Sequence, residues 1–244
     1  MTAMGEALLW GAIAGAANLL GAVAVLLISL PKRLIGYIMA LGTGALIAAV
    51  SYDLLEEAMK LSGLKDLAFG FLGGAILFTV LDMLVNRKGA QHRKRSREGS
   101  ASPDASGSGM AIFIGTIMDA IPETAMIGLS LINGGVNPAL VAAIFISNFP
   151  EGLSSTSGLL KGGFSKRKVI MMWMLVLAAS ALSALAGYVF LDDASDSTKA
   201  LLRSFAAGGI IAMIASTMAP EAYEKGGPLV GLITVAGIFL TLLL

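Results

Sequence analysis

Four stretches of the chain, residues 7–31, 34–52, 169–191 and 226–244, contain no charged side chain. A helix of about 20 apolar residues crosses roughly 30 Å of hydrocarbon, so each run is close to or beyond that length. In that medium every backbone N–H and C=O must be bonded within the protein, and a helix achieves this within one segment. Residues 67–81 and 204–220 are shorter runs. They reach about 20 residues once Asp82 and Arg203 lie at an interface. Residues 105–160 are too long for one span and break at Asn133-Gly134-Gly135-Val136-Asn137-Pro138, a turn-rich sextet.

The pattern predicts an all-α membrane protein of eight transmembrane helices, near 5–30, 34–59, 66–86, 109–132, 138–160, 168–190, 199–221 and 226–244, forming a single transmembrane domain over 1–244. The first run is not read as a cleavable signal, because Glu6 is its only early charge and it is too long for a signal core.

Composition narrows the chemistry. Only 14% of the 244 residues are charged, where a soluble domain has about a quarter. The absence of cysteine excludes disulfides, iron–sulfur clusters, thiolate zinc sites and a cysteine nucleophile. One histidine, His92, excludes a multi-histidine metal site, and a net charge of +1 gives no sign of a nucleic-acid partner.

Orientation follows from Lys and Arg in short loops. Loops 1–2, 3–4, 5–6 and 7–8 carry thirteen of them, including Lys32, Arg33, Lys161, Arg167 and Lys225. The other side has Lys60, Lys65, Lys199 and Arg203. The basic loops are therefore expected in the cytoplasm and both termini outside, in a multi-pass protein of the cell (inner) membrane. Residues 87–108 pass from a basic run into a Gly/Ser-rich stretch and read as a flexible cytoplasmic loop. Gly11/Gly15 and Gly70/Gly74 suit close packing of helices.

Ionisable groups at membrane depth cost at least a few kcal/mol and mark function. The fourth span holds Asp119-Ala120-Ile121-Pro122-Glu123-Thr124, and the fifth Ser147-Asn148-Phe149-Pro150-Glu151-Gly152. In each, an oxygen-bearing side chain precedes a glutamate by four residues and shares its face. Glu123 lies about 21 Å and Glu151 about 14 Å from the cytoplasmic end of its helix at 1.5 Å per residue. Each proline removes an N–H and frees the carbonyl four residues earlier, of Met118 and of Ile146. Asp119, Glu123, Ser147, Asn148 and Glu151 are thus expected to converge on one oxygen-rich pocket for a divalent cation, because neighbouring carboxylates stay ionised only if a cation compensates them.

At these residues the sequence resembles the ZIP (Zrt/Irt-like) family of divalent metal transporters. Asn148-Phe149-Pro150-Glu151-Gly152 matches the family's fifth-helix pattern, Phe71 to Leu84 is similar to its third helix, and Ala219-Pro220-Glu221-Ala222 to the end of its seventh. The resemblance implies a ZIP-like bundle, transport of zinc, iron or manganese into the cytoplasm as one bundle slides against a scaffold, and room for a homodimer. No cofactor beyond the transported metal ion is expected. Asp119, Ala120 and Ser147 depart from the family pattern, standing where it has histidine, asparagine and histidine or another strong ligand.

The alternative is a non-transporting homologue whose site is structural or sensory. An enzyme is not expected: Asp119 and Glu123 could pair as acid and base beside Ser154 or Ser155, yet no histidine lies in the spans to activate a serine. Asp53, Glu56, Glu57 and Asp66 form an outer acidic rim, read either as attracting cations or as an ordinary solvated helix end. Asp82, Glu221 and Glu224 near the other face either line an exit or pair with Arg87 or Lys225.

Overall fold

A computed structural model describes residues 2–28, 30–85, 105–132 and 135–243. Among the described residues there are no strands. The helices are α1 (Ala3–Leu27), α2 (Lys32–Ala49), α3 (Glu56–Ser62), α4 (Leu64–Val85), α5 (Ala105–Ile132), α6 (Pro138–Lys161), α7 (Lys166–Leu191), α8 (Asp196–Met213), α9 (Ala219–Gly226) and α10 (Val230–Leu242). A wider π-type turn, Val50–Leu55, joins α2 to α3, and a second, Ile214–Met218, joins α8 to α9. Helix covers the centre of every segment predicted from the apolar runs.

Six helical stretches are long and apolar enough to cross a membrane: Ala3–Leu27, Lys32–Ser62, Leu64–Val85, Ile112–Ile132, Lys166–Leu191 and the 47-residue Asp196–Leu242. The last contains both the seventh and the eighth predicted segments. Helix α6 is not among the six, because Ser147, Asn148, Glu151, Ser154, Ser155, Thr156 and Ser157 dilute its apolar character. The expected loop 87–108 lies largely outside the described residues, as does His92; its last positions, 105–108, are the first turn of α5.

Local chemistry sets several helix starts. The Ser165 and Ser195 hydroxyls accept from the Lys168 and Thr198 N–H groups, satisfying donors that have no partner within the helix. At α6 the Asn137 side chain accepts from the Ala139 and Leu140 N–H groups, and Pro138 opens the first turn, where its missing N–H costs nothing. The turn predicted at 133–138 thus ends in a capped helix.

The helices pack as two groups. In one, α1 packs on α7 and α6, and α5 packs on α7; in the other, α4 packs on α8, and α2 on α9 and α10. The groups meet chiefly along α2 against α6. The predicted glycine pairs lie in these seams: Gly11 and Gly15 abut Ser180 of α7, and Gly70 and Gly74 abut α8 at Ser204 and Phe205. Lipid tails are as apolar as the side chains, so close backbone approach substitutes for the hydrophobic drive of a soluble core.

A Cβ at Gly74 would overlap the Phe205 carbonyl oxygen, whereas one at Gly73 would stand 3.7 Å from the Phe205 ring. Gly74→Ala is therefore expected to lower stability in detergent by about 1–3 kcal/mol. Gly73→Ala should leave thermal unfolding unchanged or slightly raised, since alanine favours helix.

Candidate functional site

Helices α5 and α6 each carry an internal proline, Pro122 and Pro150. The carbonyl that Pro150 releases belongs to Ile146, and α2 covers it with a glycine: a Cβ on Gly42 would stand 3.0 Å from the Ile146 oxygen and 2.7 Å from the Ser147 Cα. On the other flank, α1 presents Gly21 to the Phe149 carbonyl, and Asn18 to Gly152. The Asn-Phe-Pro-Glu-Gly segment is therefore clasped between two backbones at nearly the closest distance helices allow. At α5 the Ser183 hydroxyl of α7 donates to the Ile121 carbonyl at 2.7 Å, beside Pro122.

All five residues singled out in the sequence are buried: Asp119, Glu123, Ser147 and Asn148 are each 1% exposed and Glu151 4%. The Ser147 hydroxyl turns back to the Ile144 carbonyl at 2.9 Å, which leaves its lone pairs available. The amide nitrogen of Asn148 has no hydrogen-bond partner. Glu151 is met across the helix pair by buried Thr116, whose hydroxyl lies 3.5 Å from Oε1. Thr116 extends a single face of α5, since 116, 119, 123, 126 and 130 recur at steps of three and four. On α6 the same spacing links 147, 148, 151, 154 and 155, a continuous polar stripe.

Two residues of this region escaped the sequence reading, Thr116 and Asn18, and Ser155 entered it only as a candidate nucleophile. Ser155 is buried with an unpartnered hydroxyl. Asn18 is fully buried, and neither its side-chain oxygen nor its nitrogen has a partner. A signal existed for it: in the run 7–31 only Asn18 and Ser29 bring an amide or hydroxyl. Among the described residues, no three acidic or histidine side chains gather closely enough to hold a metal ion by themselves. A cation here would take neutral oxygens from Thr116, Ser147 and Asn148 besides carboxylate, a donor set suited to hard ions that keep some of their water.

At the end of the bundle bearing the α5–α6 turn lies a pocket of about 320 Å³, lined by Asp53, Glu57, Asn137 and Arg203 with Met126, Ser130 and Leu140. Met126 and Ser130 belong to the α5 face that continues to Glu123 and Asp119, so the pocket stands at the head of the buried stripe. Its acids are partnered. The Asn137 amide donates to Asp53 Oδ1 at 2.6 Å, and buried Arg203 bonds Glu57 Oε2 and, at 3.2 Å, the Asp53 carbonyl. Lys60 pairs with Glu56, and Ser62 and Ser197 donate to Asp66. The acids of the rim are thus each ion-paired or hydrogen-bonded, in three separate groups.

At the opposite end, Ser154 donates to Glu221 Oε1, and the Lys225 ammonium reaches both, at 2.6 Å from Glu221 Oε1 and 2.8 Å from Ser154 Oγ. Of the two readings for Glu221, pairing with Lys225 is the one found.

No family model matches the chain. It is 25% identical over 216 residues to a protein of Arabidopsis thaliana that carries the name "Putative zinc transporter". The match covers 87% of this chain and 34% of the plant protein, so the chain spans about a third of the length of that relative. The six apolar helical stretches and this similarity define an all-α membrane protein.

Asn137 serves two ends at once, capping α6 and fixing Asp53. Asn137→Ala is expected to lower the unfolding temperature in detergent, with about 1 kcal/mol lost from the cap alone. Asn137→Ser keeps a capping oxygen but is too short to hold Asp53, and should fall between the two.

Proposed function

We propose that the chain is a ZIP-type transporter that carries a divalent cation of the zinc, iron or manganese class across a membrane between α5 and α6. What carries this reading is the burial of Asp119, Glu123 and Glu151 on two proline-broken helices, walled by the glycines of α1 and α2 and backed by neutral oxygens. Intramembrane carboxylates are costly and so mark function, and carboxylate backed by neutral oxygens is a donor set suited to a divalent ion. The similarity to a plant protein named for zinc transport supports the same class of cargo.

In this reading the eight predicted segments all cross the bilayer, with both termini outside and the basic loops in the cytoplasm. The pocket at Asp53, Asn137 and Arg203 then faces outward, and the Ser154–Glu221–Lys225 cluster faces the cytoplasm. Ions enter the pocket, pass down the α5 face to Glu123 and Asp119, transfer to Asn148 and Glu151, and leave along α6. The seam between the two helix groups is where alternating access would act, α6 moving against α2.

Proteoliposomes loaded with a metal-sensitive dye provide the test. Wild type is expected to admit Mn²⁺ and Zn²⁺, and Glu123→Ala/Glu151→Ala to reduce uptake to that of empty vesicles; uptake like wild type in the double variant overturns the proposal. Asn18→Ala should leave the protein folded while slowing uptake several-fold, because its backbone abuts Gly152 beside the Pro-Glu segment and its buried side-chain amide has no partner within the protein.

A further inference from the structure

The Glu221 cluster has the composition of an ion site already filled. Glu221 is 3% exposed and the Lys225 side chain 10%, so this pair is screened far less than a surface ion pair. One carboxylate oxygen takes the Lys225 ammonium and the Ser154 hydroxyl, while the other, Oε2, has no hydrogen-bond partner. Ser154 stands one turn beyond Glu151 on the polar stripe of α6, and buried Ser155, its hydroxyl unpartnered, stands beside it. A carboxylate, a hydroxyl and a cation therefore meet one turn beyond Glu151 on α6, with a second hydroxyl on the adjoining residue.

We propose that Lys225 is a tethered substitute for the transported cation: its ammonium occupies an exit subsite built from Glu221 and Ser154, and the departing ion passes by displacing it. The inference rests on the reading of α5 and α6 as a cation path. A divalent ion brings twice the charge of an ammonium and accepts the bare Oε2 as well as Oε1, so it competes on favourable terms. One carboxylate with hydroxyls and water binds weakly, which suits a step that must release its ion.

The displaced side chain has somewhere to go. Lys225 sits in the last turn of α9, where a cation is favoured by the exposed carbonyls. Gly227, at φ 73° in the left-handed region that glycine adopts without strain, ends the helix immediately beyond. The π-type turn Ile214–Met218 and Pro220 precede Glu221, so the segment carrying both residues is held by fewer regular helix bonds than its neighbours. Because Ser154 belongs to α6 and Glu221 to the segment packed on α2, the ammonium also ties the two helix groups together at this end.

Counting bound Mn²⁺ by electron paramagnetic resonance in purified full-length protein tests the proposal. Lys225→Met is expected to bind one more ion per chain than wild type, and Lys225→Met/Glu221→Gln to lose that extra ion while remaining charge-balanced. An unchanged count in Lys225→Met overturns the proposal. Loss of uptake without any loss of bound ion in Glu123→Ala/Glu151→Ala bears on the α5–α6 path alone, so the two failures are distinguishable. Should Lys225→Met not fold, amine-reactive labelling of wild type decides: Mn²⁺ should raise labelling of Lys225 several-fold over Lys166, and a flat response overturns displacement.

Discussion

A helix that carries Ser147, Asn148, Glu151, Ser154 and Ser155 cannot face lipid, and much of the architecture comes from hiding it. Each of those side chains turned toward hydrocarbon would cost several kcal/mol, the carboxylate most. Helix α6 is accordingly packed by α1, α2 and α5. Gly21 and Gly42 let two neighbouring backbones close on it where Pro150 breaks its ladder, and Gly152 lets α1 approach in return. These glycines are required by distance, since a single methyl would strike a carbonyl or an α-carbon of the opposing helix.

The same burial organises the ends of the bundle. At one end Asp53 holds Asn137, the residue that starts α6; at the other Glu221 holds Ser154 near its close. Each carboxylate is borne on or just after a π-type turn of a helix packed against α2 or belonging to it. A π-type turn inserts one residue and rotates the next turn of helix, which aims an acid inward that a regular helix would place elsewhere. The polar helix is thus fastened at both ends to the opposite helix group.

What the sequence made legible was whatever depends on neighbours along the chain. Run lengths located the long helices, the turn-rich sextet 133–138 located the break before α6, and the four-residue spacing of Gly70/Gly74 anticipated a tight seam. The burial of Asp119, Glu123, Ser147, Asn148 and Glu151 was legible because polar groups within apolar runs are costly to expose to hydrocarbon. Lateral partners were not legible. Nothing near Val50–Leu55 announces a π-type turn, and no spacing links Asn137 to Asp53, 84 residues away, or Arg203 to Glu57 across 146. The same buried polar residues depress the apolar signal of α6, which is not among the six stretches apolar enough to cross a membrane. Residues 87–108 illustrate a further limit: Gly/Ser-rich composition suggested a linker throughout, yet 105–108 join a helix whose stability comes from the apolar turns beyond them.

Ion preference turns on a chemistry the chain lacks. Imidazole and thiolate favour zinc over harder ions, and the spans hold neither, offering oxygen donors and methionine thioethers. Zinc still binds oxygen sites more tightly than manganese does, but without imidazole or thiolate the margin is smaller, and ion size, charge and retained water weigh more. Under the proposed transport reading, a donor set without imidazole or thiolate also changes what limits passage. A histidine-rich site holds its ion firmly and must distort to release it, whereas an oxygen site exchanges readily and needs some other control over leakage. Lys225 places a buried ammonium on Glu221 and Ser154, one turn beyond Glu151 on α6, and under the same transport reading that charge would supply the control, provided its hold on Glu221 is weak enough for a passing ion to break.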